Sequence, residues 1–291
     1  MTKLLPTFAL VLLLIGCDRS VDKKTYTDKK EIADIPATFF FFSRTVGDTF
    51  SIFISLPTDY DSKRNIKYSV IYLLDANLYF DIVAATLKKY SEVGILPPAV
   101  LVGIGYKTIQ TMDSLRNRDF TYPAAIPEYE MSVSGNADKF LSFILNELVP
   151  EIDRKYSVDK NSRVLFGHSL GGYFTLYALY QNLLSKNGAF SAYISASPST
   201  HYNHNYILDE LAKLNIVNVP KIKSYITFGG LEDEEDEDSS QLKTDKVFLS
   251  LEKSFKDKII YKGDTYSNLG HMDTPLPTFI KGLVWILNNE Q

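Results

Sequence analysis

Ser169 stands between two glycines in the run Gly167-His168-Ser169-Leu170-Gly171. Before it, Ser162-Arg163-Val164-Leu165-Phe166 has the length and residue types of a short buried strand. After it, residues 173–180 are apolar and compatible with a helix. A serine on a tight strand-to-helix turn has its hydroxyl exposed at the carboxyl end of a sheet. The turn is strained, so its neighbours must be small. Such a serine can attack an acyl carbon if a base takes its proton, a carboxylate orients that base, and two donors meet the oxyanion. The N–H of Leu170 would lie at the start of the helix, where it has no intrahelical partner, and is the expected first donor. By itself the Gly-x-Ser-x-Gly pattern arises by chance in about one chain of this length in ten. The partners must therefore carry the argument.

The chain has four histidines. Chains built around this serine turn place the residues in the order serine, acid, histidine. His168 lies inside the turn and is expected to point away from the Ser169 hydroxyl. His201 and His204 precede any acid-bearing strand end, whereas His271 follows the last expected strand in a glycine-containing loop, and is the candidate base. The acid should follow the strand expected at residues 222–228. Seven carboxylates compete there, from Glu232 to Asp238. Glu232 is expected to face inward, because it comes soonest after Gly229-Gly230, and the rest of the run reads as a solvated acidic loop. The run lacks the glycine and ligand spacing of a calcium-binding loop. The second oxyanion donor is expected after the strand at 68–74, with the N–H of Asn77 preferred and that of Ala76 second.

These residues need a scaffold. Residues 37–42 and 49–56 read as a hairpin, the second strand alternating as if covered on one face. Residues 68–74 and 99–104 are continuous apolar runs, as in strands buried on both faces. Further strands are expected at 189–195, 222–228 and 258–262. Helices are expected after residue 77, at 137–154, after Ser169, at 242–255 and at 275–287, while 107–136 reads as an irregular loop. The pattern predicts an α/β fold, with a mostly parallel central sheet, helices on both faces and an antiparallel N-terminal edge.

The chain of 291 residues is 45% hydrophobic with a net charge of -4, which suits a packed core and gives no support for nucleic-acid binding. Residues 1–17 read as an export signal. Lys3 precedes an apolar run that ends in Leu14-Ile15-Gly16-Cys17, and Cys17 is the only cysteine. The end of this segment resembles the lipobox of bacterial lipoproteins, which implies acylation of Cys17 and attachment to a cell-envelope membrane. Residues 18–34 are charged and polar and read as a flexible tether of at most about 56–60 Å. Residues 35–291 are expected to form one catalytic domain, working as a monomer on a small-molecule ester without a cofactor.

The chain also resembles the putative-esterase family of α/β-hydrolases, which includes esterase D, siderophore esterases, feruloyl esterases and mycolyltransferases. The matching pieces are Leu73-Leu74-Asp75-Ala76-Asn77, Arg118-Asp119-Phe120-Thr121, Gly167-His168-Ser169-Leu170-Gly171-Gly172, Ser197-Pro198-Ser199, residues 229–232 and Gly270-His271. The resemblance implies a serine esterase with Ser169 as nucleophile, His271 as base and Glu232 as orienting acid. Arg118 and Tyr122 would line the acyl or leaving-group side, and a salt bridge that merely fixes the loop is the equal alternative for Arg118. Three readings stay open: a siderophore lactone, whose anionic iron complex would favour a cationic pocket; a feruloyl or acetyl ester on a polysaccharide; and a binding lipoprotein that has kept the fold without turnover. His201 and His204 read as pocket rim, and with no third ligand evident no metal is proposed.

Overall fold

The computed structural model describes residues 38–62, 65–186, 188–215, 221–235 and 241–288. The expected export signal, Cys17, the tether and the acidic residues 236–238 lie outside the described residues. The first strands are a hairpin, β1 (Phe39–Ser43) and β2 (Asp48–Ser55), paired antiparallel. Then come β3 (Tyr68–Leu73), α1 (Ala76–Glu92), β4 (Ala99–Gly105) and α2 (Ile109–Phe120). The amphipathic stretch that follows is α3 (Ala137–Phe143) and α4 (Val149–Lys155), joined by a π-helical turn, Ile144–Leu148. Next are β5 (Val158–His168), α5 (Leu170–Ser185), β6 (Ala192–Ala196), α6 (Tyr202–Lys213), β7 (Lys223–Gly229) and the single turn α7 (Glu232–Glu235). The chain continues through α8 (Thr244–Phe255), β8 (Ile260–Tyr266), a 3-10 turn (His271–Asp273) and α9 (Pro275–Leu287).

The strands form one sheet in the order β1-β2-β4-β3-β5-β6-β7-β8. β2 runs antiparallel to both of its neighbours, and all pairs from β4 to β8 are parallel. This is the expected α/β fold with an antiparallel edge. Two apolar clusters flank the sheet. Val83 and Leu87 of α1 and Phe279, Leu283 and Ile286 of α9 cover one face. On the other, Phe140, Phe143, Phe174, Leu208, Leu211 and Leu251 come from the remaining helices. Because the parallel strands all end at one edge, the loops after β3, β5, β6, β7 and β8 converge there.

The structure departs from the sequence expectations at particular places. β2 is buried on both faces, not one: Ser51 and Phe53 are as covered as Phe50 and Ile52, because Phe80 of α1 packs against Phe53 with ring centroids 5.4 Å apart. The stretch 107–136 is not all loop. α2 occupies its first half behind a capping box of Thr108 and Thr111. Its inward face includes Arg116 and Asp119, which hides the apolar period. α6 also escaped the sequence reading, since Asn203, His204 and Asn205 at its start are in the left-handed region. β8 begins and ends later than expected, because this edge strand is largely exposed and carries no apolar run.

Candidate active site

Ser169 follows the last residue of β5 with φ 58° and ψ −121°, a conformation that costs a non-glycine residue about 1–3 kcal/mol and persists only where surroundings enforce it. The surroundings are close. A Cβ at Gly167 would collide with the main-chain carbonyl of Gly171, and one at Gly172 would lie 2.9 Å from the carbonyl oxygen of Ala196. The Ser169 N–H donates to the Ala196 carbonyl at 3.0 Å, which ties the turn to the end of β6. Its own carbonyl accepts from Tyr173 N–H at 2.9 Å and Ser199 N–H at 3.1 Å, and its hydroxyl lies 3.3 Å from that of Ser199. Leu170 is the first residue of α5, so its N–H is among the helix donors without an intrahelical partner.

His271 arrives from the loop after β8 and is held at three points. Nδ1 lies 3.0 Å from Oε2 of Glu232, the N–H donates to Oε2 of Glu235 at 2.9 Å, and the carbonyl oxygen lies 2.9 Å from Nε2 of His168. With Nδ1 engaged, Nε2 of His271 is the ring nitrogen left for the cavity that it lines together with Ser169. Glu232 opens α7, and its Oε1 accepts from Ser197 Oγ at 2.5 Å and from the N–H of Gly229. Ser197 in turn lies 2.7 Å from Thr274 Oγ1, which donates to the His271 carbonyl at 3.1 Å. Burial would raise the Glu232 carboxyl, but hydrogen bonds from His271, Ser197 and Gly229 outweigh it and hold the group below its ordinary value.

The cavity at this sheet edge measures about 400 Å³. Its lining includes Ser169, Ser197, Ser199 and Thr200, the apolar Phe228, Leu242 and Val247, and the carboxylates Glu232, Asp233 and Glu235. Among the described residues no lysine or arginine lines it, and residues 236–240, between Glu235 and Gln241, contain none either. A cationic pocket was the expectation for an anionic iron complex; the lining carries the opposite charge.

The turn after β3 abuts the serine turn. Asp75 adopts φ 51° before α1, and its carboxylate is within 3.2 Å of where a Gly171 Cβ would stand. The first α1 bonds formed by this turn are from Leu78 and Tyr79 N–H to the Asp75 carbonyl. The N–H groups of Ala76 and Asn77 therefore belong to the free donors of the first turn. The Asn77 side chain is committed elsewhere, bonding both the N–H and the carbonyl of Tyr106.

A family model described as "Putative esterase" matches residues 43–268. The chain belongs to the putative-esterase family. The match stops just before His271. The esterase is 41% identical over 204 residues to the ferri-bacillibactin esterase BesA of Bacillus subtilis strain 168, covering 65% of this chain and 68% of that one. It is 28% identical over 195 residues to the apo-salmochelin esterase of Escherichia coli O6:H1, covering 62% and 58%. Among solved structures, the BES protein from Bacillus cereus superposes with a TM-score of 0.69 at 28% identity, covering 90% of this chain and 98% of that one. The chain is thus a serine ester hydrolase of the α/β-hydrolase type.

Two residues expected to meet substrate do something else in the esterase. Arg118 is locked to Asp119 through Nε at 2.8 Å and to Asp48 at 2.8 Å, so the loop-fixing alternative describes it. Tyr122 packs among Tyr177 and Tyr206, and its carbonyl accepts from the Tyr173 hydroxyl at 2.6 Å. Neither lines the Ser169 cavity. The arginine nearest the serine turn is Arg116, which grips Asp75 with Nε–Oδ1 at 3.0 Å and Nη2–Oδ2 at 2.9 Å. It sits in the same Arg-Asn-Arg run as Arg118, so the composition of that run was the only hint to it. Tyr79 and Thr274, which brace the histidines, carried no sequence signal. Asp233 accepts from Thr244 N–H at 2.9 Å at the start of α8.

Proposed function

We propose that the esterase hydrolyses the ester linkages of a siderophore through an acyl-enzyme on Ser169, as a monomer anchored to the cell envelope by lipid on Cys17. The observation that carries the chemistry is the bond between Glu232 and His271, both of which line the cavity together with Ser169. In this reading Ser169 Oγ attacks the ester carbonyl while Nε2 of His271 takes its proton. Glu232 holds the Nδ1–H tautomer and stabilises the imidazolium that forms. The N–H groups of Leu170 and Asn77 meet the oxyanion. His271 returns the proton to the departing alcohol, and water then repeats the sequence to release the acid and restore the serine hydroxyl.

The substrate class is supported by the relatives named for siderophore esters. Its charge state is supported by the cavity. Carboxylates and hydroxyls beside Phe228 and Leu242 accept hydrogen bonds from an uncharged hydroxyaryl arm, whereas an iron-bound catecholate offers no proton and repels Asp233 and Glu235. The metal-free ester is therefore the preferred form, and a feruloyl arm satisfies the same walls.

The test compares kcat/KM for a metal-free catecholate trilactone, its gallium(III) complex and a feruloyl ester, with Ser169→Ala as control. Preference for the metal-free trilactone is expected. Preference for the gallium complex would overturn the charge argument, and preference for the feruloyl ester would overturn the siderophore assignment. Anchoring is tested by feeding a fatty-acid analogue. Label on the wild type and none on Cys17→Ser is the expected result.

A further inference from the structure

We infer that Tyr79 and His168 position the base of this esterase by holding the main-chain carbonyl of His271. The inference rests on the Ser169–His271 chemistry proposed above. His168 is the residue before the nucleophile, and its ring is buried rather than turned to the cavity. Its Nε2 lies 2.9 Å from the His271 carbonyl oxygen and its Nδ1 lies 2.9 Å from the Tyr79 hydroxyl. The roles of the two ring nitrogens follow from the carbonyl, which can only accept. Nε2 must carry the proton, Nδ1 must therefore accept, and the Tyr79 hydroxyl must donate.

The protonation state supports this arrangement. Burial first, and then the neighbouring imidazole of His271, push the His168 ring down to about 4, so it is neutral at ordinary pH. Burial and the Asp75 carboxylate raise the Tyr79 phenol, which keeps its proton. Tyr79 thus selects the tautomer that can donate to His271.

The mechanical consequence is specific. The nucleophile and the clamp are consecutive residues at the end of β5, while the base comes from a loop more than a hundred residues later. The bond from His168 makes the base loop move with the nucleophile. Tyr79 extends the tie to the first turn of α1, the segment whose free N–H groups face the oxyanion in the proposed mechanism. Glu232 orients the imidazole ring of His271, but a ring can be well oriented on a backbone that has drifted. Holding the carbonyl answers that need. Displacement of a reacting group by about 1 Å costs about 10²-fold in rate.

The full chain, assayed with p-nitrophenyl acetate and titrated with a fluorophosphonate probe, tests the inference. His168→Leu should lower kcat by about 10²-fold with KM changed by less than about threefold, among molecules that melt as cooperatively as the wild type. His168→Gln, which can present an amide N–H near the place of Nε2, should recover at least about tenfold of that loss. Tyr79→Phe should lower kcat by itself and add nothing in the His168→Leu background, as expected for residues acting in one chain. Wild-type kcat in either single variant would overturn the inference. So would a Gln variant as slow as the Leu variant, or additive losses. If His168→Leu does not fold, Tyr79→Phe alone decides by the same kcat criterion. Ser169→Ala separates the two levels: activity surviving in that variant removes the chemistry itself, whereas loss there with full activity in His168→Leu removes only the positioning role.

Discussion

The Oε2 of Glu232 lies 3.0 Å from Nδ1 of His271, between residues 39 apart in the chain. The next carboxylate, Asp233, serves the start of α8, and Glu235 receives the His271 N–H. Three neighbouring acids on one helical turn thus have three separate tasks.

Glu232→Gln should therefore be the most severe of the single carboxylate changes, approaching the loss of about 10⁴-fold in kcat that a mis-set histidine tautomer causes in serine triads. Asp233→Asn should change kcat by no more than about threefold, less than 1 kcal/mol. Steady-state kinetics on one aryl ester ranks them. A larger kcat loss from Asp233→Asn would move the orienting role off Glu232.

Ser197 sits in the left-handed region at φ 41° and donates to Glu232 at 2.5 Å. A hydrogen bond to a charged group contributes about 1.5–3 kcal/mol. Ser197→Ala should raise the Glu232 carboxyl towards its ordinary value. A depressed carboxylate stabilises the fold above its unfolded pKa, and that stability is lost as pH falls through the folded value. The acid unfolding of Ser197→Ala should start at higher pH than that of the wild type. Urea titrations from pH 3 to 7 measure this, and superimposable curves would contradict it.

His168 adds a second acid sensitivity. Its folded value, about 4, lies below the ordinary 6.5. Between those two values the unfolded chain binds a proton that the folded one refuses, so stability rises with pH there. As pH drops from about 6.5 towards 4, this group removes about 1.4 kcal/mol per unit. The variant His168→Leu should flatten that part of the stability profile. An unchanged slope between pH 4 and 6.5 would show that another group titrates there.

Arg116 and Asp75 form a buried bidentate pair, with side-chain exposures of 16% and 3%. Removing one partner from such a pair costs about 3–5 kcal/mol, because it leaves the other charge buried alone. Arg116→Met should lower thermal stability by that order, and Asp75→Asn in the same background should restore part of it. Calorimetry on the three variants checks this. Equal melting of Arg116→Met and wild type would show that water reaches Asp75.

Ser169 and its turn were legible in the sequence because their requirements are local. A strand that must turn at once into a helix needs residues without a Cβ at Gly167 and Gly172, and the apolar runs of β3, β4 and β5 follow from burial on both faces. Glu232 and His271 were legible through order and spacing, as the first carboxylate past β7 and the one histidine past the last strand. Only the tertiary structure decided what holds them. The bonds from Ser197 to Glu232, from Tyr79 to His168 and from His168 to His271 join residues 35, 89 and 103 apart. It also decided that Arg116 rather than Arg118 braces the serine turn, and that the cavity is acidic. A strand or a tight turn is specified by neighbours in the chain. A buried hydroxyl, imidazole or guanidinium takes as partner whichever group the folded sheet edge places within hydrogen-bonding reach, and that choice depends on how separate loops converge.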